Sequence, residues 1–367
     1  MTVIRARTMD IKQMSVFSVT KQTNFEKNEK EALQGSTVLE SFPRRIVCEM
    51  TSACNIHCKM CGREATNFKA TFFDPKWLEF FEPVTDRIGE ITLLGWGEPT
   101  LHPNFADFLK WGYEHDLQKF FCTNGTRLHL IKDAIFDYNT ELLTVSLDGA
   151  CAETNNRIRC GADFDTVVGN IKELVAEKKR RGTEFPYLSI VMTMMESNYQ
   201  EMPDYVRLAA DMGIQEIKGV YLTVFEQRLM DEMMYDHAQE MREVFSKTAE
   251  LGEQLGVQVK LPYIQGEDVA GNKAHKDCYV GWRDFFLGSD GYVRSCMSTP
   301  HKLFHISKYE TFDAAWNSPE YQEFRRTVNT SEMPQGCLNC YQASFANWNR
   351  KGSFIQVGNE FAPEWEG

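Results

Sequence analysis

Cys54-Asn55-Ile56-His57-Cys58-Lys59-Met60-Cys61 sets three thiols in the spacing CxxxCxxC, just after a short hydrophobic run. Three cysteines on one tight loop can hold three irons of a cubane iron–sulfur cluster and leave the fourth open to an outside ligand. A purely structural cluster has no use for that vacancy, so the spacing points to a site that binds and reduces something. Zinc sites and plain ferredoxin loops also crowd cysteines. The surrounding chain has to discriminate.

Working outward, the thiols sit in the first of a series of strand–helix units. Strand candidates lie at 45–51, 88–95, 119–123, 142–147, 187–194 and 216–222, each rich in β-branched or large apolar residues. Helical periodicity falls between them, as in Trp77, Phe80, Phe81 and Val84, then Phe105, Phe108, Leu109 and Gly112. A later example is Phe164, Val167, Val168, Ile171 and Leu174. Such alternation predicts a parallel sheet with helical crossovers, because parallel neighbours cannot be joined by hairpins. A closed eight-stranded barrel takes about 250 residues, whereas these six units end near Leu222. The expected fold class is therefore α/β, an open partial (β/α)6 TIM-like barrel. Its first βα loop, at the ligand-binding end of the sheet, carries the three cysteines.

Residues 1–41 are polar and aperiodic and read as a partly ordered extension. Past Leu222, the Met-rich segment 226–255 has Leu229, Met233, His237, Met241, Val244, Thr248 and Leu251 near helical spacing, and 257–261 offers one more strand. The organisation expected is an extension (1–42), the barrel (43–270), a second cysteine-bearing region (271–345) and a tail (346–367).

At 367 residues, with 43% hydrophobic and 25% charged residues, the composition is that of a soluble globular protein. No apolar run approaches the roughly 20 residues of a membrane span, and the N-terminus lacks a signal-peptide core, so a cytoplasmic location is expected. A net charge of −12 argues against nucleic acid as the main partner. Eleven cysteines in such a chain read as metal ligands in a reducing compartment.

The second cysteine set is Cys278, Cys296, Cys337 and Cys340. Between the first two, residues 285–294 read as a hairpin turning at Ser289-Asp290-Gly291. Four soft ligands can close a tetrahedral zinc or a fully ligated [4Fe–4S] cluster.

Taken together, these motifs resemble the radical S-adenosylmethionine (radical SAM) superfamily, in its SPASM/twitch subfamily, over about residues 45–341. The resemblance implies that Cys54, Cys58 and Cys61 hold a [4Fe–4S] cluster whose open iron binds S-adenosylmethionine, which is cleaved to a 5′-deoxyadenosyl radical. Cys278, Cys296, Cys337 and Cys340 would hold one auxiliary [4Fe–4S] cluster in a twitch/SPASM-like hairpin-plus-helix domain. Gly95-Trp96-Gly97-Glu98-Pro99 is similar to the family's GGEP element, with Trp96 replacing a glycine, and Glu98 and neighbouring carbonyls would take the methionine ammonium. Asn124 (in Thr123-Asn124-Gly125) with Ser146 and Asp148 (in Ser146-Leu147-Asp148-Gly149) would face the ribose and carboxylate, although turn chemistry also selects these residues. Met60 occupies the place of an aromatic ring against adenine.

Of the remaining cysteines, Cys48 and Cys122 read as buried core thiols. Cys160, in Arg157-Ile158-Arg159-Cys160-Gly161, is a candidate hydrogen-atom donor to a substrate radical, against the alternative of a packed or surface thiol. The cysteine spacing is similar to that of 2-deoxy-scyllo-inosamine dehydrogenase-like enzymes. The function implied is dehydrogenation of a small polar substrate, a sugar or an aminocyclitol, with the auxiliary cluster as electron acceptor and flavodoxin or ferredoxin as reductant. Radical epimerisation, modification of a ribosomal peptide and a non-enzymatic zinc-binding role are the alternatives.

Overall fold

A computed structural model describes residues 17–65, 69–265, 278–296, 301–334, 337, 351, 355 and 357. Helix α1 (Val19–Gln34) leads into strands β1 (Arg45–Glu49), β2 (His57–Cys58) and β3 (Glu90–Leu94), then α2 (Phe105–Glu114) and β4 (Gln118–Thr123). Next come α3 (Leu128–Asp137), β5 (Leu142–Ser146), α4 (Ala152–Ile158), β6 (Arg159–Cys160), α5 (Phe164–Arg181) and β7 (Tyr187–Met194). The units close with α6 (Met202–Met212), β8 (Glu216–Tyr221), α7 (Ala238–Leu255) and β9 (Gln258–Lys260). The C-terminal region adds α8 (Val280–Arg283), β10 (Asp284–Leu287), β11 (Tyr292–Arg294), β12 (Lys302–His305), α9 (Phe312–Trp316) and α10 (Pro319–Thr327).

The main sheet has ten strands in the order β12-β11-β10-β1-β3-β4-β5-β7-β8-β9. From β1 to β9 every neighbouring pair is parallel. This is the open partial barrel anticipated from the repeat of strands and helices, with β9 as the extra strand. The hairpin β10–β11 also forms around residues 288–291, with Phe286 opposite Arg294. It does not stand apart. β10 pairs in parallel with β1, Val47 against Phe286 and Cys48 against Leu287, so the C-terminal hairpin continues the barrel sheet.

Alternation along the strands separates two interiors. Ile46, Cys48, Ile91, Leu93, Phe121, Leu143, Val145, Ile190 and Ile217 belong to the main apolar core beneath the helices. Their alternate neighbours face the lumen, and many are polar yet buried: Glu90, Thr92, Thr144, Ser189, Glu216 and Lys218. They satisfy one another, as burial requires. Thr144 Oγ1 and Ser189 Oγ are 2.8 Å apart, Thr92 donates to Glu90 at 2.6 Å, and Glu216 holds Lys218 at 3.1 Å and Lys260 at 3.0 Å.

Two expectations need correction. The described part of the extension is helical: residues 19–34 form α1, capped by the Ser18 side chain and closed by Gly35 at φ 67°. Its inward face is Lys21, Asn24, Phe25, Asn28 and Ala32, a helical spacing whose members are mostly polar. Asn24 bonds Phe42 and Arg87 carbonyls at 3.1 and 3.0 Å, and Asn28 reaches the Trp282 carbonyl at 2.6 Å. The apolar periodicity at Trp77–Val84 forms two short 3₁₀ turns, Pro75–Phe80 and Glu82–Val84, because proline lacks the N–H an α-helix interior needs. Among the described residues no helix is long and apolar enough to cross a membrane.

Candidate active site at the thiol loop

The loop that leaves β1 is held by its neighbours' backbones. Thr51 Oγ1 donates to the Thr71 carbonyl at 2.6 Å and accepts the Ala53 N–H at 3.0 Å. Gly97 N–H reaches the Thr51 carbonyl at 3.2 Å, and Glu98 N–H the Ala53 carbonyl at 2.8 Å. On the other side β2 pairs with β6, His57 opposite Cys160 and Cys58 opposite Arg159. Cys54, Cys58 and Cys61 are each half-buried.

Their surroundings suit sulfur ligands. Burial pushes the Cys58 thiol up to about 12, with Arg159 opposing, and burial raises Cys54 while the Ile56 N–H opposes. Cys61 lies close enough to Cys54 and Cys58 to disfavour their ionisation, and Cys54 likewise opposes that of Cys58. A cationic iron–sulfur core would relieve that cost by binding thiolates. N–H donors already aim at two of them: Arg159 Nη1 is 3.5 Å from Cys58 Sγ, and Asn124 Nδ2 is 3.9 Å from Cys54 Sγ. The donor set therefore fits a cluster held by three thiolates.

The 95–99 segment packs on this loop so closely that glycine is required. A Cβ on Gly97 would sit 2.1 Å from the Ala53 carbonyl oxygen, and one on Gly95 2.4 Å from Glu49 Cγ. Trp96, where the related element has glycine, turns its ring to Phe225 with centroids 5.8 Å apart, and Phe225 in turn occupies the space above Gly62.

Glu98, expected to take an ammonium group, is 2% exposed, and the chain's own donors already engage its carboxylate. Oε1 accepts Thr100 N–H at 3.2 Å and the Thr100 and Thr123 hydroxyls at 2.6 Å each, while Oε2 accepts Asn124 N–H at 2.7 Å. Its geometry is that of a strut between the β3 and β4 ends. Pro99 opens the short 3₁₀ turn that Glu98 caps.

Asp148 is likewise fully buried, accepting Thr193 N–H at 2.7 Å and pairing with Arg159 Nε at 2.8 Å. Burial pushes its carboxyl up, with Arg159 the main opposing influence. Asp148 pairs with Arg159, which donates toward Cys58. Asn124 donates to Asn55 Oδ1 at 2.9 Å, beside Cys54. Ser146 is half-buried at the lumen rim, 3.4 Å from Cys122 Sγ. Cys122 thus faces the lumen and not the helix-side core, whereas Cys48 is fully buried as expected.

Met60 packs into an apolar cluster with Ile158, Met195, Leu222, Val224, Leu229 and Met233. Cys160 lies next to Arg159 on β6, so the two side chains point to opposite faces. Its thiol donates to the Arg157 carbonyl at 3.5 Å, away from the sulfurs. The residue sequence reasoning missed is Arg159, although it stood in the same quoted segment as Cys160. The cue was a charged residue alternating with that thiol beside a glycine turn.

In the C-terminal region Cys278 is fastened by Asn329, whose Oδ1 accepts its N–H at 2.6 Å. Cys296 follows β11, and the adjacent Ser295 Oγ lies 4.0 Å from Cys337 Sγ. Cys340 lies outside the described residues. The hairpin also meets the first site: Ser289 donates N–H and Oγ to Glu49 at 3.1 and 2.8 Å, while the other Glu49 oxygen accepts Trp96 N–H at 3.1 Å.

Comparison with known proteins agrees with this geometry. Residues 48–233 match the radical SAM superfamily, and residues 278–341 match SPASM, an iron–sulfur cluster-binding domain. The chain is 24% identical over 338 residues to the tungsten-containing aldehyde ferredoxin oxidoreductase cofactor-modifying protein of Pyrococcus furiosus, spanning 85% of this chain and 91% of that one. It is 23% identical over 320 residues to the mycofactocin maturase MftC of Mycolicibacterium smegmatis, spanning 83% and 78%. Among solved structures, Streptococcus suis SuiB bound to S-adenosylmethionine aligns with a TM-score of 0.61 at 16% identity, covering 87% of this chain and 74% of SuiB. Native anSMEcpe with bound AdoMet aligns with a TM-score of 0.61 at 17% identity, covering 87% and 93%. The two domain matches bring an S-adenosylmethionine-binding [4Fe–4S] cluster and auxiliary iron–sulfur chemistry to the protein. The chain belongs to the radical SAM superfamily and is a SPASM-type radical SAM enzyme.

Proposed function

We propose that the enzyme oxidises a carbinol carbon of a small polar substrate, a sugar or an aminocyclitol, to a carbonyl. The observation that carries this reading is the polar lumen. Below the thiol loop the strands present Cys122, Ser146, Thr144, Ser189 and Lys218 where a filled barrel of this kind is dominated by branched apolar residues. A hydroxyl-rich substrate finds hydrogen-bonding partners at the rim in Ser146 and Cys122, both half-buried.

When bound, S-adenosylmethionine and its cluster supply a carbon-centred oxidant able to take hydrogen from an unactivated C–H bond. The chain's part is placement. Cys54, Cys58 and Cys61 hold the cluster, Asn124 and Arg159 donate toward its sulfur ligands, and Glu98 fixes Asn124 through its backbone N–H. Gly95, Gly97 and Pro99 shape the β3 loop against the thiol loop, and Met60 closes its back. Loss of a hydrogen atom, a proton and an electron converts the carbinol to a ketone. Cys278, Cys296, Cys337 and Cys340 would hold a single auxiliary [4Fe–4S] cluster, which would supply a one-electron acceptor for the oxidation. The reducing electron for each turnover comes from flavodoxin or ferredoxin in the cytoplasm.

A second reading is modification of a ribosomally made peptide, since SuiB, whose fold this chain shares, has been solved bound to precursor peptide SuiA. Product analysis separates the possibilities. Anaerobic turnover of a panel of sugars, aminocyclitols and peptides in deuterated water should give one carbonyl per 5′-deoxyadenosine from a cyclitol or sugar. Solvent deuterium at the reacting carbon without a carbonyl would establish epimerisation instead, and a modified peptide with inert sugars would establish the second reading.

A further inference from the structure

Oxidation of a carbinol releases a proton from its oxygen, and a base in the lumen has to receive it. The carboxylates nearest the thiol loop are already engaged by protein donors: Glu49 by Trp96 and Ser289, Glu98 by Asn124, and Asp148 by Arg159. Lys218 is placed differently. It stands opposite Val191 on β7, and Val191 stands opposite Ser146 on β5. Lys218 and Ser146 therefore share one layer of the lumen, two strand spacings or about 10 Å apart. Between them Val191 is buried and apolar. The Lys218 side chain is itself only 3% exposed. Burial pushes its ammonium below the usual lysine range, with Glu216 and the Cys122 sulfur opposing the fall and Lys260 adding to it.

From Lys218 a chain of titratable groups leads outward. Its Nζ lies 3.1 Å from Glu216 Oε1, and Glu216 Oε2 lies 3.0 Å from Lys260 Nζ. Glu216 is 1% exposed, whereas the Lys260 side chain is 21% exposed on β9, the last strand of the sheet. We propose that Lys218 is the proton acceptor of the oxidation and that Glu216 and Lys260 carry the proton out along β8 and β9. The inference rests on the carbinol reading above. A neutral amine at Lys218 donates to Glu216 and still accepts from a substrate hydroxyl. In the step the substrate O–H bond breaks and an N–H bond forms at Lys218 Nζ. The hydrogen atom on carbon goes to the oxidant derived from S-adenosylmethionine and the remaining electron to the auxiliary acceptor, which leaves a C=O bond. Lys260 then gives a proton to water and takes one from Glu216, which takes its own from Lys218, so all three groups return to their starting states.

The test uses anaerobically reconstituted full-length enzyme and, as probes, the sugars and aminocyclitols of the panel above deuterated at their carbinol carbons. Wild type should form one carbonyl per 5′-deoxyadenosine, faster as pH rises through the range where Lys218 deprotonates. Lys218→Arg keeps a cation for Glu216 but stays protonated at any working pH. It should still move deuterium into 5′-deoxyadenosine, while carbonyl formation falls about 100-fold or more and no longer rises with pH. Glu216→Gln should lower carbonyl formation as well, because an amide cannot carry the proton. Iron content and S-adenosylmethionine affinity equal to wild type show that the variants are folded, and Lys172→Arg, exposed on α5, should match wild type throughout. A second readout needs no turnover. Between the lowered folded value and the ordinary 10.5 of lysine the unfolded chain binds the extra proton, so wild-type stability in urea should rise with pH there, and the rise should be absent from Lys218→Arg. Full carbonyl yield from Lys218→Arg, or a pH dependence of stability that it leaves unchanged, overturns Lys218 as the acceptor. Full yield from Glu216→Gln overturns the relay. A wild type that forms no carbonyl from any member of the panel overturns the carbinol reading, and the proton path with it.

Discussion

Gly97→Ala should loosen the thiol loop more than a methyl group added to any other described glycine. The added Cβ would lie 2.1 Å from the Ala53 carbonyl oxygen, 2.5 Å from the Thr51 carbonyl oxygen and 2.7 Å from Ser52 C. These are backbone atoms, so no side chain can swing aside, and the loop must retreat by about 1 Å. Overpacking of this kind costs about 1–3 kcal/mol. The two backbone bonds joining the segments, from Gly97 and Glu98 N–H to Thr51 and Ala53 carbonyls, add about 1 kcal/mol each if lost. A total of about 3–5 kcal/mol should appear as a lower urea midpoint, with a lower iron content after reconstitution. Gly169→Ala is the control. It lies inside α5 with nothing within 4 Å of its Cβ position, so it should stabilise by roughly 0.5–1 kcal/mol. Equal stability and equal iron loading in Gly97→Ala and wild type would refute the close apposition of the two loops.

Arg159→Met should lower the midpoint potential of the first cluster. A unit charge pair at the 3.5 Å separation from Cys58 is worth about 5 kcal/mol at an effective dielectric of 20, and Asp148 at 2.8 Å cancels most of it. A residue of about 1 kcal/mol corresponds to about 40 mV for one electron, read by an EPR-monitored redox titration, in which an unchanged potential would exclude the contact. Ser289→Ala removes a hydroxyl bonded to Glu49 at 2.8 Å and Thr71 at 2.6 Å. Leaving the buried Glu49 short of a donor should cost about 1–3 kcal/mol in chemical denaturation. His102 is held neutral, with Nδ1 accepting Asn104 N–H at 3.1 Å and Nε2 donating to the Phe73 carbonyl at 2.8 Å. Burial lowers its pKa from 6.5, so its contribution to stability is full above that value and is lost as pH falls toward the folded value. The slope of stability against pH in that window should be smaller in His102→Gln.

Much of the architecture was legible because apolar alternation and helical spacing coincide with burial in β3, β4, β5, β7 and β8 and in α2 and α5. The thiol loop was legible for another reason, since CxxxCxxC states its chemistry directly. What escaped is polar burial. α1 turns Asn24, Asn28 and Lys21 inward, so a hydrophobic pattern has nothing to register. The same holds at the site, where Glu98 and Asp148 carry the right residue types yet point at other protein groups. Arg159 came into view only once β6 paired with β2, and the same pairing turned Cys160 outward. The joining of β10 to β1 is a long-range parallel pairing that no local spacing encodes.

The most direct measurement takes enzyme with Cys278→Ala and Cys296→Ala, so that only the first site is observed, reduced anaerobically with dithionite. Adding S-adenosylmethionine should change the EPR signal of that [4Fe–4S] cluster and yield 5′-deoxyadenosine, and both responses should vanish on further substitution of Cys58→Ala. A spectrum indifferent to S-adenosylmethionine, with no 5′-deoxyadenosine formed, would contradict an iron left open by Cys54, Cys58 and Cys61.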